Sequence, residues 1–200
     1  ILENDLTKYD WLHLHHEDFT GQYGKFWAHY RNQPWYISQQ DEFKASAQKH
    51  GFDKVSDLKL AVAHKIRDFT AAGGFLFAMC SATDSYDIAL AAEGIDICES
   101  MFDGDPADPQ AQQKLDYTKT FAFQDFTLER SPSVYEFSNI DVNPRNRGVT
   151  ENNDYFTLFT YSAKWDPIPT ILTQNHEKVI KAFMGQTTAY NKELIKSDVV

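Results

Sequence analysis

The strongest periodic signal in the chain runs from residue 57 to residue 72, where Leu58, Ala61, Val62, Ile66 and Phe69 recur at three- and four-residue spacing. That spacing lines one face of an α-helix with apolar side chains. Asp57 stands where an N-cap belongs, and Gly73-Gly74 provides a left-handed stop. Phe75-Leu76-Phe77-Ala78-Met79 then forms a short, continuously apolar run, the pattern of a strand buried on both faces. Cys80 follows directly. Ser81, with Asp84 three residues on, has capping-box spacing, and Ile88 to Ala92 carries a second helix to Gly94. Upstream, Tyr9 to His15 alternates, with Trp11, His13 and His15 set against Leu12 and Leu14, which predicts another strand. Residues 38–50 have helix-forming composition and stop at Gly51.

Strand, helix, buried strand, cysteine, helix is the order of a doubly wound α/β fold. The strands near 11–15 and 75–79 are expected as parallel neighbours, with the helix over 57–72 crossing between them in a right-handed connection. Residues 101–118 form an acidic, turn-rich loop, and Asn143 to Asp154 is polar and irregular. Further strand candidates lie at Thr120–Phe123, Tyr155–Tyr161 and Thr170–Thr173. With no repeat or linker, residues 1–200 read as one domain. The opening at Ile1 and the apolar close at Val199-Val200 suggest a fragment lacking N- and C-terminal parts of a longer protein.

Composition narrows the function. Aromatic residues at 14% favour a packed core over disorder. A formal charge of -10 argues against a phosphate-binding surface, so nucleic acid is not an expected partner. No apolar run is long enough to cross a bilayer, so no membrane span is expected in this chain, and a small molecule is the expected partner. Two cysteines, Cys80 and Cys98, make neither a disulfide framework nor a CxxC pair.

Position singles out Cys80. A buried strand that breaks into a helix presents its junction residue at the carboxyl edge of the sheet, where ligands of open α/β sheets bind. The helix N-terminus favours thiolate there. Cys98 has no such placement and reads as structural. The cluster His13, His15, His16, Glu17 and Asp18 lies at the end of the first strand. His15, His16 and Glu17 are candidate proton-transfer groups, while His13, His15 and Asp18 are a weaker set for a divalent metal. Asp103-Gly104-Asp105 lacks EF-hand spacing. Trp27, Tyr30, Trp35 and Tyr36 fit a stacking surface for sugars or ordinary aromatic packing. The alternatives to an enzyme are therefore a non-catalytic small-ligand or carbohydrate-binding domain and a metal site at the His13–Asp18 loop.

The run Ile66-Arg67-Asp68-Phe69, the Gly73-Gly74 break, Phe75 to Cys80, and Asp87-Ile88-Ala89-Leu90-Ala91-Ala92-Glu93-Gly94 resemble the nucleophile region of class I glutamine amidotransferases. Tyr9 to Leu14 is similar to the preceding strand of that superfamily. The trehalose-utilisation (ThuA-like) branch is comparable through Gly73 to Phe77. His13 to Gly21 and Ala78 to Asp84 resemble a Bacteroidota family often labelled asparagine synthetase B. The N-terminal cysteine and the Ser-Gly-Gly ATP loop of glutamine-dependent asparagine synthetases are both absent here. The resemblance implies a flavodoxin-like three-layer αβα sandwich with a mostly parallel sheet, in a soluble protein of a bacterial cytoplasm or periplasm. It also implies a cysteine-dependent hydrolase or amidase in which Cys80 attacks and His15 or His16 moves the proton. Amides near Gly21 or Ser81 would hold the oxyanion, and Asp18 and Asp84 complete the ligand-binding set. Met79 and Ser81-Ala82 replace the superfamily's glycines around the cysteine, and His176-Glu177 lacks the spacing of its His-x-Glu pair.

Overall fold

The computed structural model describes residues 1–142, 152, 155–157, 179–181 and 190–197. The chain divides into two units, one of Ile1–Asp141 with Tyr190–Val200, the other of Val142–Ala189. In chain order the first unit carries β1 (Trp11–His15), α1 (Trp27–Tyr30), α2 (Pro34–Lys49), α3 (Val55–Ala71), β2 (Phe75–Met79), α4 (Ser81–Ala91), α5 (Ser100–Asp103) and α6 (Ala111–Lys114). In the second unit β3 (Tyr155–Thr157) pairs antiparallel with β4 (Val179–Lys181).

The periodic segment folds as α3, two residues earlier than its apolar pattern alone places it. Its N-cap is Lys54 in extended backbone, and Asp57 lies in the first turn, where its charge suits the helix dipole. Gly73 takes the left-handed conformation with φ 99°, and a Cβ on Gly74 would lie 2.3 Å from the Phe69 ring. The tight turn that delivers β2 therefore requires both glycines. Residues 120–123 do not make the expected strand. They hold only an isolated bridge between Phe123 and Ile195. Of the Tyr155–Tyr161 candidate, Tyr155–Thr157 is strand, and residues 158–161 lie outside the described residues, as does Thr170–Thr173.

β1 and β2 are parallel neighbours, paired from Trp11 with Phe75 to His15 with Met79. The protein is thus of mixed helix and strand, with a small parallel sheet consistent with an α/β class. On one face Leu12, Leu14, Leu76 and Ala78 pack against Val62, Ala63 and Ile66 of α3 and Ala82, Tyr86, Ala89 and Leu90 of α4. The other face corrects the expectation that β2 is buried on both sides. Trp11, Phe75, Phe77 and Met79 are 60%, 58%, 43% and 37% exposed. Strand side chains alternate, and the described helices of this layer cover one side only.

α4 serves two cores at once. Its inner face joins the sheet, and Ile88 and Ala91 face a second cluster with Phe123, Phe126, Phe137, Ile140 and Leu194. Small residues at Ala82, Ser85, Ala89 and Ala91 allow this close approach on several sides. Asp87 pins the arrangement. Its carboxylate, 1% exposed, accepts from the backbone N–H groups of Phe121 (2.8 Å), Ala122 (2.7 Å) and Phe123 (2.8 Å). Burial pushes its carboxyl up, and those three N–H groups pull it back.

Candidate functional site

β2 ends at Met79 and α4 begins at Ser81, so the whole reversal of direction falls on one residue. Cys80 is the N-cap of α4, with φ 54° and ψ -139°. A non-glycine residue in this sparsely populated region stores strain of order 1–3 kcal/mol, and such strain clusters at functional sites. The side chain is partly exposed. Ser81 is the first helical residue rather than the cap, and no side chain caps the helix. The Thr83 N–H donates to the Cys80 carbonyl at 3.0 Å, and the Ser81 and Ala82 N–H groups precede the first bonds of the helix.

The expected proton-transfer groups end the neighbouring strand. His15 pairs in register with Met79, the residue before Cys80. His16 follows with φ 60°, and its ring lies against that of His15 at 3.8 Å between centroids, with the two Nδ1 atoms in contact. Both histidines are exposed. Glu17 turns back so that its carboxylate accepts from the His15 N–H. The carbonyl of Glu17 accepts from Ser85 Oγ at 3.0 Å and from Ser81 Oγ at 3.5 Å, which docks the loop on the first turn of α4. Among the described residues no hydrogen bond reaches the Cys80 sulfur.

Asp18 organises this loop from within. One carboxylate oxygen accepts from the Thr20 N–H and hydroxyl, both at 2.7 Å, and the other from the Gly24 N–H at 2.8 Å. Those bonds occupy a group expected to bind ligand or metal. Gly21 is likewise a packing residue. At φ 85° it lies so close to α3 that a Cβ would meet the Ser56 Cα at 2.8 Å. His13 is directed elsewhere, with Nε2 3.1 Å from the Met79 sulfur. The described structure therefore does not gather His13, His15 and Asp18 as a metal-binding set. His176 and Glu177 lie outside the described residues.

Two tyrosines from later in the chain, Tyr135 and Tyr190, feel the charge of Cys80, and Asp84 acts on both. Asp84, one turn into α4, is 4% exposed, and burial followed by the charge of Asp141 pushes its carboxyl up to about 7. Tyr190 is pushed up to about 12, chiefly by burial and further by the charges of Asp84, Asp141 and Cys80. Tyr135 is raised by burial, then by Cys80, Asp141 and Asp84. Tyr135, Asp141 and Tyr190 escaped sequence reasoning because nothing local marks them. Asp141 and Tyr190 meet in an isolated bridge between distant segments.

A second constellation lies away from Cys80. Asp96, Cys98 and Asp103 each offer one ligand atom, all within 4.8 Å of one another. The Lys54 ammonium sits 2.6 Å from Asp96, 3.0 Å from Asp103 and 2.6 Å from Asp105. Burial works to lower the pKa of Lys54, but the three carboxylates override it and hold the ammonium charged. Burial also pushes the Cys98 thiol well above its ordinary value, and its Sγ donates to the Thr20 carbonyl at 3.2 Å. The single ammonium offsets one of the three carboxylate charges and ties Asp96, Asp103 and Asp105 to the start of α3.

Trp35, Tyr30 and Tyr135 are 48%, 41% and 50% exposed, and the ring of Phe26 contacts all three. Tyr36 is fully buried and belongs to the core. Trp27 lies under the guanidinium of Arg31. Comparison of the chain with models of protein families, with curated proteins and with solved structures finds no match.

Proposed function

We propose that the protein is a cysteine-dependent hydrolase or amidase acting on a small carbon–nitrogen or acyl substrate. The scaffold would be the three-layer, flavodoxin-like sandwich of the class I glutamine-amidotransferase-like superfamily. The observation that carries this reading is the left-handed backbone of Cys80 between a parallel strand and a helix. A strained strand-to-helix junction is the geometry that exposes a nucleophile in α/β hydrolases.

In this reading the Cys80 thiolate attacks the substrate carbonyl carbon and the imidazole of His15 or His16 takes the thiol proton. The negative charge that develops on the carbonyl oxygen is met by the Ser81 N–H. Collapse of the tetrahedral species expels the amine, which takes the proton from the imidazole and leaves a thioester on Cys80. A water molecule, deprotonated by the same imidazole, then hydrolyses the thioester. Asp84, in the first turn of the same helix, has a carboxyl that burial pushes up to about 7 and would serve as a proton reservoir near neutrality.

The test is a panel of small amides and esters, including γ-glutamyl p-nitroanilide, assayed with the wild type, Cys80→Ser and His16→Ala. Turnover that disappears in folded Cys80→Ser supports the reading. Turnover that persists in Cys80→Ser removes Cys80 from the chemistry. A second reading, a non-catalytic small-ligand or carbohydrate-binding domain, is favoured by the exposed group Tyr30, Trp35 and Tyr135. Saturable sugar binding without turnover, lost in Trp35→Ala, would select it.

A further inference from the structure

A cavity of about 340 Å³ opens beside β1, α2 and α3, at the small end of the range for small-molecule sites. Its apolar wall includes Leu14, Phe19, Phe43, Leu58 and Val62. All but one of its charged side chains are engaged. Glu3 accepts from Lys49 Nζ at 2.7 Å and lies 3.3 Å from His50 Nε2. Glu17 is held by the His15 N–H.

Lys59 is the exception. Its Nζ lies 4.4 Å from the centroid of the Phe43 ring, and among the described residues no oxygen accepts from it. An ammonium has three N–H donors, and withdrawing them from water without acceptors is costly. Burial accordingly lowers the pKa of Lys59, against the opposing charges of Asp18 and Glu17. A face of Phe43 meets one side of the cation, and Lys59 itself lines the cavity.

We infer that this cavity is a binding site for a small organic monocarboxylate, whose head accepts from Lys59 Nζ while its apolar body lies against Phe19, Phe43 and Leu58. Lys59 is the charged side chain of the lining with no oxygen accepting from it among the described residues, and one ammonium fits one carboxylate. A phosphate dianion would bring excess charge next to Glu17, and the apolar wall would leave its oxygens unbonded. The site is independent of the chemistry assigned to Cys80.

The probe is octanoate, titrated calorimetrically into the purified chain at neutral pH, with octan-1-ol, octylammonium and inorganic phosphate as controls. Octanoate is expected to bind saturably at one site, and octylammonium and phosphate are expected not to bind. Removing a charged hydrogen bond should weaken binding about tenfold or more in Lys59→Met, while Lys59→Arg stays within a few fold. Lys59→Gln serves if the methionine variant loses its helical circular dichroism. Three results each overturn the proposal: no saturable octanoate binding by the wild type, equal affinity for octan-1-ol, or undiminished binding by the folded Lys59 variants.

Discussion

Replacing Asp84 with Asn tests whether the first turn of α4 holds its carboxyl as the acid. Asp84 is 4% exposed, and its pKa moves from 3.8 to about 7, with burial the largest cause and the charge of Asp141 the next. In the unfolded chain an aspartate titrates near 3.9. Between these values the folded protein holds a proton that the unfolded chain has released. The contribution to stability is therefore fully present below about pH 4 and is lost as pH rises through about 7. A rise of this size, at about 1.4 kcal/mol per tenfold, corresponds to about 4 kcal/mol. Asparagine keeps the shape and removes the charge. Urea unfolding at pH 4.5, 6, 7 and 8 should show the two proteins nearly equal at the acid end. Asp84→Asn should become the more stable by up to about 4 kcal/mol at pH 8. A constant difference across this range would refute the argument, because a carboxyl with an ordinary pKa makes no such pH-dependent contribution.

Asp87→Ala leaves three N–H groups, that of buried Phe123 among them, without their acceptor and should cost about 2 kcal/mol or more in urea unfolding. A loss below about 1 kcal/mol would show that the segment Phe121–Phe123 finds other partners. Gly21→Ala combines a left-handed backbone with a contact to the Ser56 Cα and should destabilise by about 2 kcal/mol, read as a lowered melting temperature. Lys54→Met leaves Asp96, Asp103 and Asp105 facing one another. It should cost about 2 kcal/mol at pH 7 and recover partly near pH 4, as the carboxylates take up protons. Iodoacetamide should label partly exposed Cys80 in the native protein well before buried Cys98, and equal slow labelling would return Cys80 to a structural role.

The parallel pairing of β1 with β2 was legible in the sequence because the apolar period changes sharply at Gly73-Gly74. Local spacing alone marks both the helix and the strand. The position of Cys80 was legible for the same reason, although its left-handed backbone was not. The roles of the buried carboxylates were hidden. Asp84 and Asp18 look like polar residues of a helix turn and a loop, and Asp87 like one more helix residue. What makes them special is burial by segments far along the chain, such as residues 121–123 for Asp87. The exposed face of β2 misled for the opposite reason. Phe75, Phe77 and Met79 are apolar, and periodicity cannot say whether anything lies opposite them.

The register that joins Trp11 to Phe75 also orders events during folding. All of α2 and α3 lies between the two strands, so the pair cannot close until that intervening chain has been drawn in. Closing a long loop is entropically unfavourable before its contacts form, whereas a helix such as α3 assembles from local contacts. The backbone of Cys80 belongs to the late category, because it exists only where a paired β2 meets a docked α4. Substitutions that slow docking of α3, such as those at Ala63 or Ile66, should therefore delay the appearance of a reactive thiol more than the appearance of helical signal. Pulsed alkylation during refolding would follow the assembly of the elbow separately from that of the helices around it.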